Sequence, residues 1–221
     1  MSISAAGGRD GEGDGAPRTA AEARRLSLPT LVTDLPVTRR ALAFAEEHHR
    51  GQFRDVDRAP FILHPLEVAQ LLRGRDYPDE VVAAGVLHDV IEDAHVAFEE
   101  LRATFGARVA ALVFAVSEPA DAQGSYRERK ARLRAAVAEA EADAVAVFAA
   151  DKVAKARELR LGLVRAGDLG MLDDDKLEHY WESLALLERR LGHHAFVRQL
   201  RFELEALALL PPETNRSQAG S

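Results

Sequence analysis

Residues 81–93 read VVAAGVLHDVIED. The first seven, Val81 to Leu87, are apolar on every side of a helix, which is the pattern of a segment buried at the centre of a helical domain. The run ends directly in His88 and Asp89, with Glu92 and Asp93 close behind. Ionisable groups at the end of a buried helix are costly unless they are paired or bound to a metal. On a continuous helix over 78–92, His88 and Glu92 stand one turn apart, as do Asp89 and Asp93. His88 and Asp89 can then reach one ion together, with Glu92 and Asp93 a turn further on, towards solvent and substrate. One helix cannot complete a coordination sphere, so further nitrogen or oxygen ligands must come from elsewhere.

Two residues answer that need. His64 follows the hydrophobic Phe61-Ile62-Leu63, and Asp151 closes a second apolar run, Val145 to Ala150. For either one alone, a buried polar side chain satisfied by the backbone is the plain alternative. Two His and two Asp make a mixed nitrogen and oxygen set suited to Mn²⁺, Fe²⁺ or Zn²⁺ and too rich in nitrogen for Ca²⁺.

Working outward, the periodicity is helical nearly throughout and the predicted fold class is all-α. Thr38 can cap a first helix, and further helices are predicted over 65–74, 78–92, 97–105, 106–117, 124–140, 143–166, 173–191 and 193–209. Pro65 and Pro78 sit where first helical residues would be. A strand signal occurs only at 61–63, with a possible hairpin partner at 52–54. Residues 1–37 are rich in Gly, Asp and Ala at their start and read as a disordered tail. Residues 211–221 read as a loose C-terminal tail, which leaves one domain over 38–210. Trp181 and Tyr180, with Leu184 and Leu187, are expected in the core. His48, His193 and His194 are expected to be solvated or capping, and Asp173 to Asp175 to start a helix.

Composition excludes several function classes. The chain of 221 residues carries 29 Lys and Arg against 36 Asp and Glu, a net charge of −7. That balance is wrong for a binder of nucleic-acid polymers, so an anionic substrate must meet a local basic patch. There is no cysteine, which removes disulfides, thiolate metal sites and a cysteine nucleophile. The longest uncharged run, Val109 to Ser117, is nine residues, against about 20 needed to span a bilayer. No secretory signal is expected, and the predicted location is cytoplasmic.

The segments AEEHHRGQFRDVDRAPFILHPLEVAQLL, VVAAGVLHDVIEDAH, FEELRATFGARVAALVFAVSE and AADKVAKAREL, in that order over about residues 39–160, resemble the hydrolase domain of Rel/Spo stringent-response proteins. They are closest to the single-domain small alarmone hydrolases of the HD superfamily. The combination of HRGQxR, FILHP, LHDVIED and ADK is far more specific than a bare His-Asp pair. The resemblance implies a single HD-type helical domain that removes pyrophosphate from the 3′ position of (p)ppGpp with Mn²⁺, a nucleotide partner rather than a membrane or a polymer. It implies His64, His88, Asp89 and Asp151 as metal ligands and Glu92 and Asp93 as the catalytic acidic pair. It matches Arg54 to an arginine that packs on the base, Arg157 to an arginine beyond the fourth ligand, and Lys152 to that ligand's neighbour.

Two positions depart from the family pattern. Lys155 stands where asparagine is usual, and Arg58 where glycine is usual. With Lys152 and Arg157, they are candidate phosphate contacts. The departures keep open another nucleotide or phosphorylated metabolite as substrate. A non-catalytic nucleotide-binding module is the reading from a different class. The Tyr126 to Lys130 stretch resembles the lead into a helix over the active site.

Overall fold

The computed structural model describes residues 34–119, 122–166 and 174–209. The described chain forms α1 (Pro36–His48), α2 (Leu63–Arg73), α3 (Asp79–Leu87), α4 (Val90–Ala94) and α5 (Phe98–Phe105). It continues with α6 (Ala107–Val116), α7 (Tyr126–Glu139), α8 (Ala142–Ala166), α9 (Asp174–Leu191) and α10 (Ala195–Ala208). Among the described residues the only β pairing is an isolated bridge between Phe53 and Pro60, so the all-α class holds. The hairpin expected at 52–54 and 61–63 reduces to that bridge, because Leu63 is already helical.

Two helices form the centre, and their sequences explain why. All seven residues from Val81 to Leu87 in α3 are buried, and the helix packs against α1, α2, α6 and α8. In α8, Ala144 to Ala150 are buried without interruption, and the helix touches α2, α3, α6, α7, α9 and α10. Both apolar runs therefore end in the middle of the molecule, and the polar residues that follow them meet there.

Several helix ends differ from the sequence-based expectation. The helix predicted over 78–92 is two: α3 stops at Leu87, and α4 starts at Val90. His88 and Asp89 keep right-handed dihedrals at the junction, where Ser117 Oγ donates to the freed His88 carbonyl at 2.9 Å. Thr38 does not cap α1, which begins at Pro36. Instead, Asp79 of α3 accepts from the Val37 and Thr38 amides at 2.9 and 2.8 Å and from the Thr38 hydroxyl at 2.7 Å. Pro78 precedes α3 as its N-cap, and Pro65 sits in the first turn of α2 but two residues after its start.

The expected tails lie outside the described residues apart from 34–37, as does Asp173. Asp174 and Asp175 do open α9. Tyr180, Leu184 and Leu187 are buried as expected, but Trp181 is 36% exposed, because the buried face of α9 runs through His179, Tyr180, Ser183, Leu184 and Leu187 and leaves position 181 outside it. His194 caps α10, its Nδ1 accepting from the Phe196 amide at 3.2 Å.

Candidate metal centre

Three helical segments deliver four side chains to one point. His64 lies in the first turn of α2 and is 2% exposed. His88 and Asp89 occupy the α3–α4 junction, and Asp151 follows the apolar run of α8. The Nε2 atoms of His64 and His88 are 3.2 Å apart. Asp89 Oδ2 lies 3.1 Å from His88 Nε2 and 3.5 Å from His64 Nε2. Asp151 Oδ1 lies 3.2 Å from His64 Nε2 and 3.5 Å from His88 Nε2. Donors bound at ~2.1 Å to one first-row ion are separated by roughly this much.

The outer atom of the His88 imidazole supports the same fit. His88 Nδ1 is 2.8 Å from the Gly85 carbonyl. A carbonyl only accepts, so the Nδ1 proton is placed there, and Nε2 is the atom that faces the other donors and would offer its lone pair once deprotonated. His64 Nδ1 has no hydrogen-bond partner, but the nearest carboxylate, Glu158 Oε2, stands 4.0 Å behind it. His64, His88 and Asp89 already satisfy the mutual spacing of a metal-binding group, and Asp151 Oδ1 lies within 3.5 Å of Nε2 on both histidines.

The electrostatics are those of closely packed opposite charges. Burial disfavours charge on His88, but Asp89 and Asp151 outweigh it and hold the pKa well above the ordinary value. Burial alone would raise Asp89, yet His88 and then His64 hold it well below the usual carboxylate range. Asp151 is likewise depressed against its burial, by Lys152 first and by both histidines.

The donors open into a cavity of about 400 Å³. Glu92 and Asp93 line it, as do Tyr126 and Lys130 of α7, Lys152, Lys155 and Glu158 of α8, and Lys176, His179 and Tyr180 of α9. Lys130 Nζ holds Glu92 Oε1 at 3.1 Å and also pairs with the buried Glu118. Lys152 donates to Asp151 Oδ2 at 2.6 Å. Asp93 is solvent-exposed at the rim, but partial desolvation at the wall, with the charges of Asp89 and Glu92, pushes its pKa up to about 7.

The predicted substrate contacts divide. Lys152 and Lys155 line the cavity, whereas Arg54, Arg58 and Arg157 do not. Arg54 pairs with Asp57 and lies 3.7 Å from Glu158, beside a smaller cavity next to the main one. Arg58 adopts a left-handed backbone (φ 58°) that carries its guanidinium over the Phe53 ring. Arg157 bonds Glu67 at 2.6 Å and Glu203 at 3.2 Å, which ties α8 to α2 and α10.

Of the cavity residues outside the predicted site, Glu158 and His179 bear most on its chemistry. Glu158 stands seven residues after Asp151, two turns along the same face of α8, and that spacing was the available signal. His179 is an ionisable residue on the buried face of α9, a weaker signal.

Comparison with known proteins gives the family and the fold. A family model described as "HD domain" matches residues 41–168. A guanosine-3′,5′-bis(diphosphate) 3′-pyrophosphohydrolase of Danio rerio is 41% identical over 90 residues, 39% of this chain and 50% of that protein. One of the same description from Vibrio cholerae is 31% identical over 185 residues, 80% of this chain and 24% of that protein. The chain thus spans half or less of the length of these relatives.

Among solved structures, a metazoan ortholog of SpoT, described as hydrolysing ppGpp and acting in starvation responses, superposes with a TM-score of 0.67 at 24% identity. That likeness covers 79% of this chain and 97% of the other and concerns the fold. A Listeria monocytogenes structure gives 0.59 at 28% identity over 65% of this chain and 97% of its own. The family match runs from the helix before His64 to the helix that carries Asp151, so it takes in every donor of the cluster, and on that ground the chain belongs to the HD domain family.

Proposed function

We propose that this chain is a metal-dependent phosphohydrolase that removes the 3′-pyrophosphate from (p)ppGpp, working on a small nucleotide in the cytoplasm rather than on a nucleic-acid polymer. One observation carries the reading: four nitrogen and oxygen donors, an acidic pair and four lysines face a single cavity. The names of the relatives support the choice of substrate.

His64, His88, Asp89 and Asp151 would hold the ion, for which we propose Mn²⁺. Such an ion supplies a water of lowered pKa and polarises phosphoryl oxygens. The protein's own part is to orient that water and to take its proton. Glu92, fixed in direction by Lys130, can accept a hydrogen bond from the water. Asp93, whose pKa lies near neutrality, is suited to hold and release the proton. Lys152 and Lys155 offer ammonium donors to the phosphates. Water enters at the scissile phosphorus, and the products are pyrophosphate with GDP or GTP.

A second reading, hydrolysis of another nucleotide, is favoured by one feature. The wall beside α8 carries the Lys155–Glu158 pair, 3.7 Å apart, and Arg54 is engaged by Asp57 and Glu158. The deciding experiment incubates the purified chain with Mn²⁺ and, separately, ppGpp, pppGpp, their adenine counterparts and dNTPs, with products resolved by anion exchange. Pyrophosphate with GDP or GTP from the guanosine substrates is the expected result. Turnover confined to another nucleotide would establish the second reading, and no turnover of any would remove both.

A further inference from the structure

His179 lies on α9, beyond the residues matched by the family model, and is 3% exposed. Its Nδ1 is 2.6 Å from Arg134 Nη1. A guanidinium only donates, so Nδ1 must be the acceptor, and the neutral ring carries its hydrogen on Nε2. That Nε2 is buried and has no hydrogen-bond partner in the protein. The two ring nitrogens point in divergent directions, so Nε2 faces away from Arg134, and His179 lines the main cavity together with Lys130 and Lys152.

The surroundings decide what this donor is for. The ammonium groups of Lys152 and Lys130, and then Arg134, oppose charge on the ring, which burial already disfavours, so it stays neutral at physiological pH. A neutral N–H beside two ammonium groups adds a directed donor without adding a third repelling cation. A buried donor with no acceptor is costly, and in a cationic setting the complementary acceptor is an oxyanion. Lys152 spends one donor on Asp151, and Lys130 spends donors on Glu92 and Glu118. Each ammonium has three, so each retains capacity for a ligand.

We propose that His179 Nε2–H, with the ammonium groups of Lys152 and Lys130, forms an oxyanion subsite that binds a phosphate group of the substrate. This inference rests on the reading of the cavity as a nucleotide pyrophosphate site and assigns one wall of it to phosphate. His179 is then a substrate-binding residue contributed by a helix outside the metal-binding motifs.

The test uses the full chain loaded with Mn²⁺ and freed of excess metal, with inorganic pyrophosphate as the probe. Calorimetric affinity is measured for the parent, His179→Leu and His179→Gln. Leucine removes the donor, whereas glutamine can still accept from Arg134 and donate into the cavity. A loss of about 10-fold or more is expected for leucine, with glutamine recovering most of it. Proton–nitrogen spectra of the parent loaded with a diamagnetic ion, Mg²⁺, need no variant. They should place the ring proton on Nε2 and show its resonance shift and its exchange slow when pyrophosphate is added. A proton on Nδ1, no response to pyrophosphate, or leucine affinity equal to the parent in a folded variant would overturn the subsite. If pyrophosphate binds through His179 but (p)ppGpp is not hydrolysed, the subsite stands and the proposed substrate falls.

Discussion

Gly162 offers a perturbation whose size can be worked from the structure. A Cβ at this position in α8 would lie 1.7 Å from Cγ1 and 3.2 Å from Cβ of Val56. Carbons in ordinary contact are about 3.5–4.0 Å apart, so Val56 must withdraw by roughly 2 Å in Gly162→Ala. Alanine gains about 1 kcal/mol in helix propensity over glycine, while overpacking costs about 1–3 kcal/mol. The closeness of a β-branched neighbour places the cost at the upper end, so a net loss of about 1–2 kcal/mol is expected. Val56 lines the cavity and stands between Arg54 and Asp57, so its displacement should raise KM several-fold while metal content is kept. Urea unfolding of Gly162→Ala, Val56→Ala and the double variant closes the cycle. With Cγ1 gone, the double variant should recover about 1 kcal/mol or more through coupling. A Gly162→Ala protein more stable than its parent, with unchanged KM, would refute the close approach of this loop to α8.

The other expectations concern charge. Purified protein should hold a Mn²⁺-class ion and lose it on Asp89→Ala or Asp151→Ala; undiminished content by metal analysis in both variants would sink the ligand assignment. Glu92→Gln and Asp93→Asn should keep fold and metal but lower kcat by about 100-fold or more, and turnover at the parent rate in both would exclude the acidic pair. Lys155→Asn should shift preference towards ppGpp mainly through KM, since an amide both donates and accepts where lysine only donates; unchanged specificity ratios would make Lys155 a bystander. Burial, with Lys152, Lys130 and Arg134, lowers the His179 pKa from 6.5 to about 2. The unfolded chain therefore binds the extra proton as pH falls below 6.5, and stability should drop by up to ~1.4 kcal/mol per pH unit from this group. His179→Gln should flatten that slope between pH 7 and pH 5 in urea titrations, and an identical slope would show that the ring is not held neutral.

Local sequence carried the four clustered candidate donors because each lies at the end of an apolar run: Val81 to Leu87 before His88 and Asp89, Val145 to Ala150 before Asp151, and Phe61 to Leu63 before His64. A buried run that stops at ionisable residues announces that those residues meet something inside. The break between α3 and α4 was not legible, because both junction residues keep helical dihedrals and the hydroxyl that meets the His88 carbonyl there comes from Ser117, which is distant in sequence. The surroundings of the arginines were not legible for a related reason. Arg157 and Arg54 are drawn off by Glu67, Glu203, Asp57 and Glu158, which come from other segments or from turns whose geometry the sequence does not specify. His179 enters the cavity only because α9 packs across α7 and α8, and no local pattern encodes that crossing.

The distribution of charge bears on how an acidic chain could take the proposed anionic substrate. Six carboxylates and four lysines line the cavity, so its walls alone do not attract a pyrophosphate. Three of those lysines are each close to an acid: Lys130 to Glu92, Lys152 to Asp151, and Lys155 to Glu158. At physiological ionic strength, charges more than about 8 Å away are largely screened, so the net charge of the whole chain matters little beside these local pairs. A dication among His64, His88, Asp89 and Asp151 would cancel the local acidic excess and compete with Lys152 for the Asp151 carboxylate. The ammonium groups, and the His179 donor beside two of them, would then be available to phosphate oxygens. In the proposed reaction, the donor cluster would therefore act before any chemistry does: His64, His88, Asp89 and Asp151 would hold the ion, and its charge would leave the neighbouring ammonium groups to the substrate phosphates.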